Sequence, residues 1–183
     1  LLGNTYPLEA CLYPGGFTHC TPSFFFPVTV YIDTDDRATL FFKSSAVRRY
    51  IEERRHYPQP PTVRFHHQDY DTDIPEQADS FDLLLSLYAG FVSPACTRYL
   101  KPGGLLVANN SHGDASMASL DERLRFVGAV HARGDRYRLV TDDLDRYFHP
   151  KKELLISPSY LRKMGRGVAY TKPADYYLFR RVT

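Results

Sequence analysis

The sequence predicts an α/β fold: a doubly wound, mostly parallel sheet closed by antiparallel C-terminal strands. Three observations carry this. Short β-rich runs alternate with helical patterns from Glu9 to about Leu124, the order that builds a parallel sheet. The run Phe81-Asp82-Leu83-Leu84-Leu85-Ser86-Leu87 has apolar residues on both faces, as a central parallel strand requires. From Phe126 onward the pattern becomes strand-like segments joined by short turns, which suits an antiparallel sheet edge.

Taken in order, Glu9 to Tyr13 is a short strand stopped by Pro14-Gly15-Gly16. Phe17 to Phe26 follows, with Pro22 and Pro27 bracketing Ser23-Phe24-Phe25-Phe26 and leaving room for one or two helical turns. Val28 to Ile32 is a β-branched and aromatic strand ending at Asp33. Lys43 to Tyr57 has helical spacing, with Val47, Tyr50, Ile51 and Arg54 on one face. Ser44 or Ser45 is its cap, and Pro58 prevents its continuation. Thr62 to His67 is the third strand and Phe81 to Leu87 the fourth. A helix from Ser93 to Leu100 starts on Pro94, Gly104 to Ala108 is the fifth strand, and Ser116 to Leu124 is helical. Phe126–His131 and Tyr137–Thr141 flank a turn at Arg133-Gly134-Asp135 as a hairpin. Asp142 caps a short helix through Phe148, and Ser157-Pro158 opens another around Leu161. Val168 to Tyr170 and Tyr176 to Val182 form a last pair, and residues 1–183 read as one domain.

Composition excludes more than it assigns. Hydrophobic residues make up 43% and charged residues 24%, and the formal net charge is +2, too small to indicate nucleic acid or an anionic membrane as partner. No apolar run approaches the ~20 residues of a membrane span. Cys11, Cys20 and Cys96 make an odd count without a CxxC pair, which points to a reducing, cytoplasmic setting. The chain opens on Leu1 rather than Met, so a further N-terminal segment, with a helix ahead of the first strand, is an expectation. His19-Cys20, His66-His67 and Cys96 lack ligand spacing, so no metal is expected. Gly-x-x-x-x-Gly-Lys-Ser/Thr and Gly-x-Ser-x-Gly are both absent, which disfavours P-loop nucleotidases and α/β-hydrolases.

In open α/β sheets ligands bind beyond the carboxyl ends of the strands, where strand order reverses. The loops of interest therefore follow Tyr13, Ile32, His67, Leu87 and Ala108. Gly15 and Gly16 permit close backbone approach to a carboxylate, or form a plain turn. Asp33, ending strand two, is placed to accept from both ribose hydroxyls, with Asp35 as fallback and an acidic turn as the alternative. In Asn109-Asn110-Ser111-His112-Gly113-Asp114, His112 and Asp114 could form a proton-accepting pair, or a capped turn into the next helix.

Phe81-Asp82 with its apolar run, followed by Leu100-Lys101-Pro102-Gly103-Gly104-Leu105-Leu106-Val107, resembles the second half of the Rossmann-like, class I methyltransferases that use S-adenosylmethionine. The acidic strand ends occur in the same order. The resemblance implies S-adenosylmethionine as cofactor, Asp69 with Tyr70 at the adenine, and the loop from Ser86 to Gly90 beneath the methionine end. It also implies methyl transfer to an acceptor that the sequence does not name. The chain departs from the family in its first loop, Pro-Gly-Gly instead of Gly-x-Gly-x-Gly, with only about a dozen residues before strand two. That shortening motivates a second reading, a catalytically silent descendant that serves as a binding protein. A nicotinamide-dependent oxidoreductase shares the acidic strand end but needs a Gly-x-Gly-x-x-Gly that is missing. Asn/Asp-Pro-Pro-Tyr/Phe is also missing after strand four, which disfavours methylation of amino groups on DNA bases.

Overall fold

The computed structural model describes residues 6–183; the expectation about a segment ahead of the first strand lies outside them. Eight strands form one sheet in the order β3-β2-β1-β4-β5-β8-β6-β7. The parallel part comprises β1 (Ala10–Pro14), β2 (Val28–Asp33), β3 (Thr62–His67), β4 (Phe81–Ser86) and β5 (Leu100–Ala108). The antiparallel part comprises β6 (Leu124–Arg133), β7 (Arg136–Val140) and β8 (Tyr176–Arg181). Strand order reverses between β1 and β4, which pair through Cys11↔Leu83 and Leu12↔Leu84.

Alternation along the central strands divides the core into two layers. Leu12, Val30, Leu84 and Leu106 face one side, with Val92 and Cys96 of α3 (Val92–Cys96) and Ala115 and Ala118 of α4 (Asp114–Ala118). Cys11, Tyr31, Leu83, Leu105 and Val107 face the other, beneath Phe42 of α1 (Asp36–Lys43) and Ile51 of α2 (Ser45–Arg54). Each fully buried Leu here contributes about 1.5–3 kcal/mol of transfer free energy, which is why β4 tolerates no polar face. The three cysteines are buried free thiols, and no helix among the described residues is long and apolar enough to cross a membrane.

Several expected boundaries move. The helix expected from Lys43 to Tyr57 is α2, Ser45–Arg54, with Ser44 at its cap position; α1 ahead of it was not expected, and the two are separated where Ser44 turns extended at ψ 129°. Asp35 caps α1 by accepting from the Arg37 amide, a role outside both the ribose and the acidic-turn readings of Asp33-Thr34-Asp35-Asp36. The helix expected from Ser93 to Leu100 ends at Cys96 and tightens into a 3-10 turn, Thr97–Tyr99. Lys101 to Gly104 bulge out of β5, since Phe81↔Leu100 and Leu83↔Leu105 are successive pairs of the ladder. The helix expected from Ser116 to Leu124 is the shorter α4, Asp114–Ala118.

The hairpin β6–β7 forms as expected, turning at Gly134-Asp135. Asp142 does not cap a helix; Asp143, at φ 49°, precedes a 3-10 turn over Leu144–Arg146. Ser157 does cap α5 (Pro158–Met164), accepting from the Tyr160 amide. The expected pairing of Val168–Tyr170 with Tyr176–Val182 does not occur. β8 instead inserts between β5 and β6, and Tyr170 bridges only to Pro150. The inward alternation of Tyr177 and Phe179 satisfies a central position better than an edge, and sequence spacing does not reveal that partner.

Candidate functional site

The loops following β1, β2, β3 and β4 converge beside the reversal in strand order. Between them lies a cleft of about 260 Å³, lined by Gly15, Ile32, Asp33, Thr34, Gln68, Asp69, Tyr70, Asp71 and Ala89. Four of the expected cofactor residues, Gly15, Asp33, Asp69 and Tyr70, therefore meet in one place.

Asp33 is the most constrained of them. Its Oδ2 accepts from the Phe17 amide at 3.0 Å and its Oδ1 from the Asp35 amide at 2.9 Å. A carboxylate has about four lone-pair directions, so each oxygen keeps one more acceptor site. Asp35, the fallback, is engaged as the cap of α1 and in an ion pair with Arg37, whose hydrogen bonds hold its carboxyl down at about 2. Asp69 is exposed and bonds the Asp71 amide through Oδ1 at 2.9 Å. Tyr70 donates to the Ala89 carbonyl at 2.5 Å, so its ring forms a wall of the cleft while its hydroxyl pins the β4 loop.

Gly15 sits at φ 64°, and a Cβ there would overlap the Cβ of Ala89; only glycine lets the first loop close on the fourth. Its amide bonds the Ile32 carbonyl at 2.7 Å and the Phe17 amide is held by Asp33, so neither is available to a ligand. Gly16 does not line the cleft. A Cβ at Gly16 would lie 2.8 Å from the ring of Tyr13, so this glycine serves close packing of the loop over that ring. The first crossover is the short form expected, a single 3-10 turn at Thr21–Phe24. It is tied to β2 by Tyr31, whose hydroxyl bonds Ser23 Oγ at 2.7 Å and donates to the Cys20 carbonyl at 3.2 Å.

Two expected roles do not match the geometry. Ser86 is buried and donates to Asp114 Oδ2 at 2.5 Å, away from the cleft. His112 is exposed and bonds Ser111 Oγ at 3.1 Å; it does not meet Asp114. The Asp114 carboxylate points inward, accepting from Ser86 Oγ, from Ser93 Oγ at 2.6 Å and from the Ser93 amide. It joins β4, α3 and α4. Burial raises its carboxyl to about 6, the serine hydrogen bonds opposing that shift. The His112–Asp114 pair fails because α4 begins at Asp114 and turns the side chain into the core. No group of three or more His, Cys, Asp or Glu side chains suited to a metal ion occurs among the described residues.

A second cavity, of about 370 Å³, opens on the other side of the β4 loop and includes Tyr88, Asn109, Ser111, Lys151, Tyr170 and Asp175. Tyr88, next in sequence to Ala89 of the cleft, is 65% exposed and held at φ 62°. A tyrosine in that region carries strain of about 1–3 kcal/mol, which is found mainly at functional sites. Asn109 is buried with its Oδ1 accepting from Ser111 Oγ at 3.0 Å, and its Nδ2 has no partner among the described residues. Neither Tyr88 nor Lys151 stands out in the sequence, because left-handed backbone and convergence across more than sixty residues leave no local pattern.

No protein-family model matches the sequence, and no curated protein matches it significantly. Solved structures do match. The N-methyltransferase NodS from Bradyrhizobium japonicum, in complex with S-adenosyl-L-homocysteine, aligns with 96% of this chain and 79% of its own at a TM-score of 0.52 and 14% identity. The fold is that of the class I methyltransferases. An S-adenosylmethionine-dependent methyltransferase from Mesorhizobium loti aligns over 73% of this chain and 56% of its own, at TM-score 0.41 and 16% identity. The [4+2]-cyclase SpnF aligns over 59% and 42%, at TM-score 0.44 and 18% identity. The chain thus spans about half the length of these last two structures.

Proposed function

We propose that this protein binds S-adenosylmethionine in the cleft beside β1 and β4 and transfers its methyl group to an acceptor held on the far side of the β4 loop. The observation that carries the reading is Asp33. It is a carboxylate at the end of β2, fixed by two backbone amides, with acceptor capacity left on both oxygens and facing a cleft at the reversal of strand order. That arrangement suits a ribose diol. Asp69 on the cleft rim suits the adenine amino group, and Ile32 with the Tyr70 ring suits its faces. The cleft volume lies just under the ~300–1,000 Å³ of small-molecule sites, which fits the adenosine portion, the methionine portion extending past Gly15.

Bound S-adenosylmethionine supplies an already activated methyl group. The residues of the chain then have to align the acceptor and exclude water, work in which positioning carries most of the rate. His112, exposed and without an acidic partner, stays a proposed base only for an acceptor that reaches the mouth of the second cavity. A cytoplasmic protein of one domain accords with the three free thiols and the single sheet.

A second reading, a catalytically silent fold that binds a partner or another ligand in place of S-adenosylmethionine, is favoured by the tight approach of Gly15 to Ala89. Calorimetric titration with S-adenosylhomocysteine separates the two. Heat with a thermal upshift is expected, and its absence at millimolar ligand would sink the methyltransferase reading. In the Asp33→Ala variant the affinity falls by about 2 kcal/mol, the loss of charge-assisted hydrogen bonds; unchanged affinity assigns the ribose elsewhere.

A further inference from the structure

A cavity larger than the cleft lies nearby. It holds about 540 Å³ between α5 and the segment leading to Tyr170, and it is lined by Lys151, Lys152, Tyr160 and Arg166 with Leu154, Met164 and Val168 as apolar wall. Among the described residues, three cations line it and no carboxylate does. Among the described residues, none of the three makes an ion pair. Some arginines elsewhere are matched, as Arg64 by Glu76 and Arg123 by Asp121, and others, such as Arg125 and Arg138, are not; what sets these three cations apart is their convergence on one concavity. Unmatched positive charge gathered in a concavity is a field for an anion.

This cavity and the Tyr88–Asn109 cavity share one wall, because Lys151, Val168 and Ala169 line both. The wall is built rather than draped. Lys151 N donates to the Ala169 carbonyl at 2.9 Å and Thr171 N to the His149 carbonyl at 2.8 Å. Asn110 Nδ2 donates to the Val168 carbonyl at 3.1 Å, and Asn110 Oδ1 is held in turn by the Ser116 amide and hydroxyl. Gly113 and Gly167 let the Arg166–Val168 strand of chain lie directly on the β5 loop; a Cβ on Gly167 would overlap Asn110.

We propose that this groove selects a phosphorylated acceptor. The phosphate is bound by Arg166, Lys151 and Lys152 beside α5, and the body of the molecule lies along Val168 and Ala169, presenting its nucleophile in front of Tyr88. A dianionic phosphate matches three cations without a counter-charge better than a carboxylate does, and the guanidinium fork bonds phosphate oxygens bidentately. A bilayer or nucleic-acid surface is the weaker candidate because the cations line a concavity.

The assignment rests on the methyltransferase reading for its acceptor role, but the phosphate site is testable by itself. Inorganic phosphate, added to the full chain and followed through backbone amide shifts, should saturate with shifts centred on Lys151, Lys152 and Arg166. Acetate should bind at least about tenfold more weakly. Lys152→Met and Arg166→Met should each weaken phosphate about tenfold, one charge-assisted hydrogen bond's worth, while Arg136→Met on β7 leaves it unchanged. S-adenosylhomocysteine binding should survive both groove variants. The proposal is overturned by non-saturating phosphate shifts, by equal affinity for acetate, or by the two variants leaving phosphate binding intact. Tighter capture by anionic vesicles or RNA than by phosphate also overturns it. Loss of S-adenosylhomocysteine binding in the wild-type chain with phosphate binding retained would remove the methyl-transfer reading and leave the anion site standing.

Discussion

Two loop systems flank the reversal in strand order, and each is held by one buried polar side chain of opposite character. On the β1–β2 side the anchor is Tyr31, a phenol bonded to Ser23 and Cys20 and pushed by burial to a higher pKa. On the β4–β5 side the anchor is Asp114, a carboxyl bonded to Ser86 and Ser93 and raised to about 6. The phenol stays neutral wherever the protein is folded, while the carboxyl changes charge within an ordinary working range. The first crossover, reduced to a 3-10 turn, is thus fixed independently of pH. The β4–β5 side is tied to a titrating group.

Removing Asp114 should break the comparison most strongly. Asp114→Ala leaves two buried hydroxyls and a buried amide without their acceptor, and about 3 kcal/mol of stability should be lost in urea unfolding, at the upper end for such groups. An effect below ~1 kcal/mol would mean that the serines find other partners. Next in size is Gly15→Ala, which sets a Cβ against Ala89 at a left-handed φ; about 2 kcal/mol of destabilisation is expected. Retained stability with normal S-adenosylhomocysteine binding would show that the two loops can part without consequence.

Tyr31→Phe should cost about 1–1.5 kcal/mol, since Ser23 loses its buried partner, with a thermal midpoint difference from wild type that does not vary between pH 4 and pH 7, where the phenol of the folded protein stays neutral. Asp114→Asn supplies the contrast. The folded-state pKa of Asp114 lies above the ordinary 3.8, so its favourable share is complete below about 4 and declines as pH rises through about 6. Measured against Asp114→Asn, the wild-type midpoint should therefore fall across that window. A flat difference would remove the titrating anchor. Carboxylates held low, such as Glu76 and Asp121, have the reverse dependence, which is why the variant difference and not the wild-type curve is the measurement.

The parallel core and the place of the cleft were legible in the residues alone. Strands of the Phe81–Leu87 type can be buried only by layers on both sides, and loops at the carboxyl ends of such strands must converge, so Gly15 and Asp33 were readable from strand order, and Asp69 and Tyr70 from the resemblance to the methyltransferases. Tertiary structure decided the rest. Ser86 and Asp114 look like site residues in the sequence because polar groups after strands usually face solvent; only packing shows them bonded to each other in the interior. β8 takes a central place through its two buried aromatic positions, for which spacing names no partner. The groove of Lys151, Lys152 and Arg166 exists because chain segments remote from β5 fold onto its loop. Local pattern records what a residue can bury, and long-range contact alone records what it faces.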